Sequence, residues 1–106
     1  MKRYELVFDE VIVRQLKRVG KDIQFRLSKM FDKMELLGPS AGELIDSQLF
    51  LYEIKSKHPP IRLYFRHAAT EDELHVFEFE MKTSEERQQK TINKLKKRAK
   101  NRHLSG

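Results

Sequence analysis

Between Leu49 and Lys82, charged or hydroxyl-bearing side chains alternate with apolar ones: Glu53, Lys55, Arg62, Tyr64, Arg66, Glu78, Glu80 and Lys82. Neighbouring side chains on a strand point to opposite faces, so this spacing gathers all eight on one face of a sheet. That mixed charged face is where chemistry is to be sought. Arg62 is a planar, permanently charged fork, and Lys55 is a point cation, as is Lys82. Glu53, Glu78 and Glu80 offer the paired carboxylates of glycoside hydrolysis. The interleaved cations favour a salt-bridged face over that use.

Other chemistries find no residues to carry them. The chain has no cysteine, which excludes disulfides and thiolate metal sites. It has no Gly-rich phosphate loop, no H-E-x-x-H, no G-x-S-x-G and no EF-hand loop. The histidines, His58, His67, His75 and His103, lack metal-ligand spacing and read as surface or edge residues. His67 and His75 fall near strand ends and are weak catalytic candidates. Neither a cofactor nor a metal is expected.

The alternation predicts three strands: Leu49 to Ser56, Ile61 to His67 and Leu74 to Met81. Their short polar links suit an antiparallel meander. The face opposite the charges carries Phe50, Tyr52, Ile54, Ile61, Leu63, Phe65, Phe77, Phe79 and Met81 and requires a cover. Upstream, Tyr4 to Phe8 reads as a short strand, and Asp9 as the N-cap of a helix carrying Val11, Ile12, Leu16 and Val19. Asp22 is expected to cap a second helix, on which Ile23, Leu27, Met30, Phe31 and Met34 form an apolar stripe. Gly38-Pro39 ends it. This hairpin is the expected cover, with the Met and Phe stripe as core. Ser40 to Ser47 reads as a loop.

After Met81, Thr83 and Glu86 form a capping-box pattern for a third helix, from about Ser84 to about Lys100. Its stripe, Ile92, Leu95 and Ala99, is narrow, so this helix is expected to dock weakly, on the sheet edge or against a partner. The fold class expected is α+β, in the order β-α-α-β-β-β-α.

At 106 residues the chain suits one domain with a modest core, residues 1-106. No apolar run is long enough to span a bilayer, and Met1 to Glu5 lacks the apolar region of a secretory signal. A cytoplasmic protein with no membrane partner is expected. The net charge of +6 is unevenly placed. Residues 1–86 sum to −2, and residues 87–106 hold 8 Lys/Arg and no acid. Such a block steers toward phosphates in a salt-dependent way, or serves as a solvated helix face.

The wording of the strands adds a family. L-Y-E-I-K at Leu51 to Lys55, I-R-L-Y-F at Ile61 to Phe65, and F-E-M-K-T at Phe79 to Thr83 before a basic helix resemble the RelE/ParE toxin superfamily. The likeness is to its HigB-like, phage-Gp49-like branch. The resemblance implies the toxin of a type II toxin–antitoxin pair that cuts mRNA in the ribosomal A site. There a ribose 2′-hydroxyl attacks the adjacent phosphate. Carried over by position, Lys55, Arg62 and Lys82 would be catalytic: Arg62 would meet the phosphate in its transition state, and the lysines would neutralise a leaving oxygen or, were neighbouring cations to lower their pKa, act as acid or base. Tyr64, if exposed, would stack on a base. Arg66, Arg87, Lys90, Lys94, Lys97 and Arg98 would bind RNA. The implied partners are the ribosome, mRNA and a neighbouring-gene antitoxin, helix-turn-helix in type, with an acidic segment that folds on the toxin.

The chain departs from the pattern at Met81, where the family has a lysine, and at Glu78 and Glu80, which add negative charge. ParE-like relatives keep the fold, lack the nuclease residues and act on DNA gyrase. A non-nuclease inhibitor and a basic nucleic-acid-binding accessory protein therefore remain as alternatives.

Overall fold

The computed structural model describes residues 3–68, 72–81 and 85–105, with residues 99–105 described by backbone alone. Lys82, the Thr83 half of the capping box, and the side chains of Ala99 and His103 lie outside the described residues. Among the described residues, no helix is long and apolar enough to cross a membrane.

The first strand, β1 (Glu5–Phe8), gives way to α1 (Glu10–Arg18) at Asp9. Asp9 keeps extended backbone angles, and its Oδ1 accepts the Val11 N–H at 2.9 Å, as expected of an N-cap. The next helix, α2 (Lys21–Leu37), starts differently from the expectation. Its N-cap is Gly20, with no side-chain cap, and Asp22 sits inside the first turn. There its charge complements the helix dipole instead. The C-terminus is set by Gly38, at φ 61°, whose N–H donates to the Met34 carbonyl. A Cβ at Gly38 would lie 2.3 Å from Cζ of Tyr4, so glycine is required both by φ and by the close approach of β1.

A short 3-10 turn, Gly38–Ala41, leads to β2 (Glu43–Asp46), β3 (Leu51–Lys57), β4 (Pro60–His67) and β5 (Glu73–Met81). The sheet order is β1-β5-β4-β3-β2. The β1–β5 pair is parallel and the others are antiparallel. β2 occupies part of the expected loop. Its residues, Glu-Leu-Ile-Asp, have no clean alternation, and its register with β3 shifts between Leu44 and Asp46. Past the end of β1, Gln15 of α1 brackets the backbone of Phe79. Its amide donates to the carbonyl at 2.9 Å and accepts from the N–H at 3.0 Å.

One face of the sheet packs on the helical hairpin, as expected. Ile12, Leu27, Met30 and Met34 meet Ile54, Ile61, Leu63, Phe65, Leu74, Val76 and Phe79. Tyr52 stacks on Phe65 with ring centroids 5.4 Å apart. Phe31 is half-buried and meets Phe8 edge-to-face at 5.1 Å. Three expected core residues do not join them. Met81 is exposed at the end of β5. Phe50 sits in the turn before β3, at φ 52° and 39% exposed. Phe77 faces the other way because β5 carries a bulge. Phe65 pairs with Val76 and Tyr64 with Glu78, so Phe77 is the extra residue and the parity reverses across it.

Phe77 instead builds a second cluster with Leu51, Tyr64 and Leu95, flanked by Ile45, Leu49 and Ile92. Leu95 and Ile92 belong to α3 (Glu85–Ser105). The last helix therefore covers the charged face of the sheet, and Leu95 is fully buried. This corrects the expectation of weak docking. Two apolar residues suffice because they drop onto apolar positions that the bulge and Leu51 expose on that face.

Phe65 is fully buried among the helices, so Phe65→Ala is expected to cost about 3–5 kcal/mol through lost transfer energy and a cavity. Phe50→Gly relieves a left-handed backbone that costs about 1–3 kcal/mol in a non-glycine residue. Urea unfolding should show a much lower midpoint for the first variant and an unchanged or higher midpoint for the second. A lowered midpoint for Phe50→Gly would show that the ring contributes more by packing than its backbone loses.

Candidate functional site

The antiparallel register sorts the charged face into rows. Lys55, Arg62 and Glu80 stand opposite one another across β3, β4 and β5. Glu53, Tyr64 and Glu78 form the neighbouring row. Each carboxylate is then satisfied by groups from the sheet and from α3.

Glu53 is 3% exposed, and a charge so buried must be paired. Nη1 of Arg62 lies 3.0 Å from its Oε2, and Nε2 of Gln88 donates to the same oxygen at 2.5 Å. Nζ of Lys55 is 3.8 Å from Oε1 of Glu53 and 3.7 Å from Glu43. Glu78 is buried against Nζ of Lys94 at 3.3 Å and against the Arg98 guanidinium. Arg98 also reaches Oδ1 of Asp9 at 3.0 Å and lies over the Phe77 ring. Glu80 is held differently. The Tyr64 hydroxyl donates to its Oε1 at 2.6 Å, and the Thr91 hydroxyl to its Oε2 at 2.6 Å.

Gln88, Thr91, Leu95 and Arg98 are spaced three or four residues apart, so they share one stripe of α3. That stripe meets the sheet with apolar and hydrogen-bonding groups together. Sequence reasoning singled out neither Gln88 nor Thr91. The signal was present as a mixed stripe in phase with Leu95, but an apolar-only count passes over it.

The expected site residues separate under this geometry. Lys55 and Arg62 are neighbours in one row. Tyr64 is fully buried, so it cannot offer a ring to a base, and this corrects its expected stacking role. Burial pushes the Tyr64 phenol well above its ordinary pKa, and the Glu80 and Glu53 carboxylates add to the shift. The phenol therefore stays a donor to Glu80. Nε of Arg66 donates to the Leu49 carbonyl at 2.9 Å and secures the turn before β3. Arg98 is held largely inside the interface, and Lys94 is paired with Glu78 though well exposed. Arg87, Lys90 and Lys97 are exposed. Lys82 lies outside the described residues. His75 is 2.8 Å from Glu73 and His67 packs edge-on to Tyr4, so both act at the far end of β4 and β5 from Arg62. A cleft lined by Glu80, Met81, Arg87 and Thr91 opens beside the Lys55–Arg62–Glu80 row.

No protein-family profile and no curated protein match the sequence. Solved structures do match. The chain is similar to the isolated E. coli RelE toxin, with TM-score 0.64 and 21% identity, covering 85% of this chain and 97% of that one. It is similar to the intact E. coli RelBE toxin–antitoxin complex, with TM-score 0.63 and 22% identity over 76% and 99% of the two chains. It is also similar to the RelBE2 toxin–antitoxin complex of Mycobacterium tuberculosis, with TM-score 0.65 and 14% identity over 79% and 97%. The fold is thus that of RelE, in agreement with the expected fold class.

α3 has one further tether, Nζ of Lys96 to Asp46 at 3.3 Å. Burial raises the Asp46 carboxyl, but the Leu49 N–H and Lys96 outweigh it and hold the group below its ordinary 3.8. A depressed carboxylate contributes stability that is complete above the unfolded value and is lost as pH falls through the folded one. Amide exchange in the middle of α3 should accelerate as pH drops below about 4, after correction for intrinsic rates. Asp46→Asn should remove that pH dependence. An identical profile in the variant would detach the Lys96–Asp46 pair from α3 docking.

Proposed function

We propose that this protein is the toxin of a type II toxin–antitoxin pair and that it stops translation by cutting mRNA on the ribosome. The observation that carries this reading is the RelE fold with Lys55 and Arg62 side by side on the sheet. Within the superfamily, the strand wording points to the HigB-like branch. The catalytic set is Lys55, Arg62 and Lys82. Arg62 meets the charge that grows on the phosphate in the transition state, while the lysines serve the leaving oxygen. Exposed cations along α3, Arg87, Lys90 and Lys97, contact RNA phosphates. The partner is an antitoxin encoded next door, helix-turn-helix in type, which covers the sheet and α3 with an acidic segment.

A second reading is a non-nuclease inhibitor, directed at gyrase or another target. It is favoured by the pairing of Glu53 and Glu78 with the cations around them. The two readings separate in cells. Induction followed by 5′-end mapping of a translated message yields cuts that vanish when translation is blocked if the first holds. An intact message with gyrase-linked DNA breaks supports the second. Co-expression of the adjacent reading frame should restore growth and co-purify with this protein.

The site and the helix should fail differently. Single-turnover cleavage on programmed ribosomes, at saturating protein, is expected to slow by about two to three powers of ten in Arg62→Ala. Neutralising Lys90 and Lys97 should leave the cut positions unchanged and flatten the salt dependence of binding by about 0.7 to 0.9 log units per contact. A full rate for Arg62→Ala would remove Arg62 from the chemistry. An unchanged salt slope for the lysine variants would remove α3 from the RNA contact.

A further inference from the structure

We infer that Glu80 is the general base of the cleavage reaction, working in one cross-strand row with Arg62 as phosphate clamp and Lys55 as general acid. This inference rests on the mRNA-cleavage reading and names the base within it.

The row supplies the layout that the reaction needs. In-line displacement at phosphorus puts the attacking oxygen and the leaving oxygen on opposite sides. A base is therefore needed on one side and an acid on the other. Adjacent strands lie about 4.8 Å apart, so Lys55 on β3 and Glu80 on β5 stand roughly 10 Å apart at the backbone, with Arg62 on β4 between them. Arg62 spends Nη1 on Glu53, while its Nε is buried and has no hydrogen-bond partner among the described residues. The fold thus holds a guanidinium in the middle of the row, with the side chain 17% exposed.

The choice among the three carboxylates follows from their partners. Glu53 and Glu78 are buried and held by cations, which leaves little of either carboxylate open to an incoming ribose. Glu80 is only half-buried, lines the cleft with Met81, Arg87 and Thr91, and takes its hydrogen bonds from two neutral hydroxyls. It is the carboxylate of the three that an incoming ribose hydroxyl reaches, by displacing Thr91 from Oε2. Tyr64, fully buried, keeps the carboxylate oriented from below.

The step balances. The 2′-hydroxyl gives its proton to Glu80 as O2′ bonds to phosphorus. The P–O5′ bond breaks, and O5′ takes a proton from the Lys55 ammonium. The products are a 2′,3′-cyclic phosphate and a 5′-hydroxyl. Glu80 then releases its proton to water and Lys55 regains one, so no proton is gained or lost overall.

The test is single-turnover cleavage of a programmed ribosome complex across pH, with a second message carrying sulfur in place of the bridging O5′. Glu80→Gln should slow cleavage by about 10²–10⁴-fold and erase the rising acidic limb of the profile. It should leave ribosome binding and the circular dichroism spectrum unchanged, because glutamine still accepts from Tyr64. Lys55→Ala should also slow the oxygen substrate, yet recover on the sulfur substrate, since a thiolate leaves without a proton. Glu80→Gln should not recover there. If Glu80→Gln keeps the acidic limb, or regains its rate with the sulfur substrate while the wild-type protein cuts normally, Glu80 is not the base and the cleavage reading stands without it. If the wild-type protein leaves both messages intact, the cleavage reading and this inference fall together.

Discussion

Two carboxylates buried on one face of a sheet are the constraint around which this fold closes. Glu53 is 3% exposed and Glu78 5%. Burying an ionised group without partners costs several kcal/mol, more than a domain of this size can readily absorb. α3 resolves the problem. It brings Gln88 to Glu53, and Lys94 and Arg98 to Glu78, while Leu95 fills the apolar space beside them. Its docking is therefore electrostatic and apolar at once. A stripe that reads as too narrow to hold a helix is sufficient because polar residues beside it also bind the sheet.

The same arrangement links the two layers of the molecule. Arg98 spans from Glu78 on β5 to Asp9, the residue that starts α1. Asp9 in turn accepts from Val11 and donates its own backbone N–H to Val76. A helix on one face of the sheet is thus tied to a helix on the other through a single guanidinium and a single cap. Phe77 makes this possible. By turning away from the helical hairpin it becomes the surface over which Arg98 lies. The bulge is a functional feature of β5, since without it Leu74, Val76 and Phe79 could not share the hairpin face.

On the proposed catalytic face, charge of both signs is held in alternating rows, and the difference between partners separates structure from chemistry. Carboxylates that meet cations are structural counter-ions. Glu80, which accepts from the Tyr64 and Thr91 hydroxyls, borders the open cleft. Neutral donors orient a carboxylate without neutralising its charge. Sequence reasoning grouped all three acids in one salt-bridged face and marked Glu78 and Glu80 as negative charge on a phosphate-binding surface.

The sequence by itself determined the elements wherever a period was strong. The stripe from Ile23 to Met34 specified α2, the alternation in β3 and β4 specified their two faces, Asp9 specified a helix start and Gly38 a helix end. It also placed Lys55 and Arg62 on one face, because parity is local and both strands are regular. Tertiary structure decided the rest. β2 exists because β3 offers an edge to pair with, and no pattern in its four residues announces it. The facing of Phe77 depends on a bulge, which is a property of two paired strands and leaves no mark in one. Phe50 left the core because the turn before β3 takes a left-handed backbone there. The burial of Tyr64, and the sorting of Glu53, Glu78 and Glu80 into counter-ions and a candidate base, depended on where α3 came to rest. That was decided by hydrogen bonds between α3 and the sheet that join residues 11 to 35 positions apart, a range over which no local periodicity carries information.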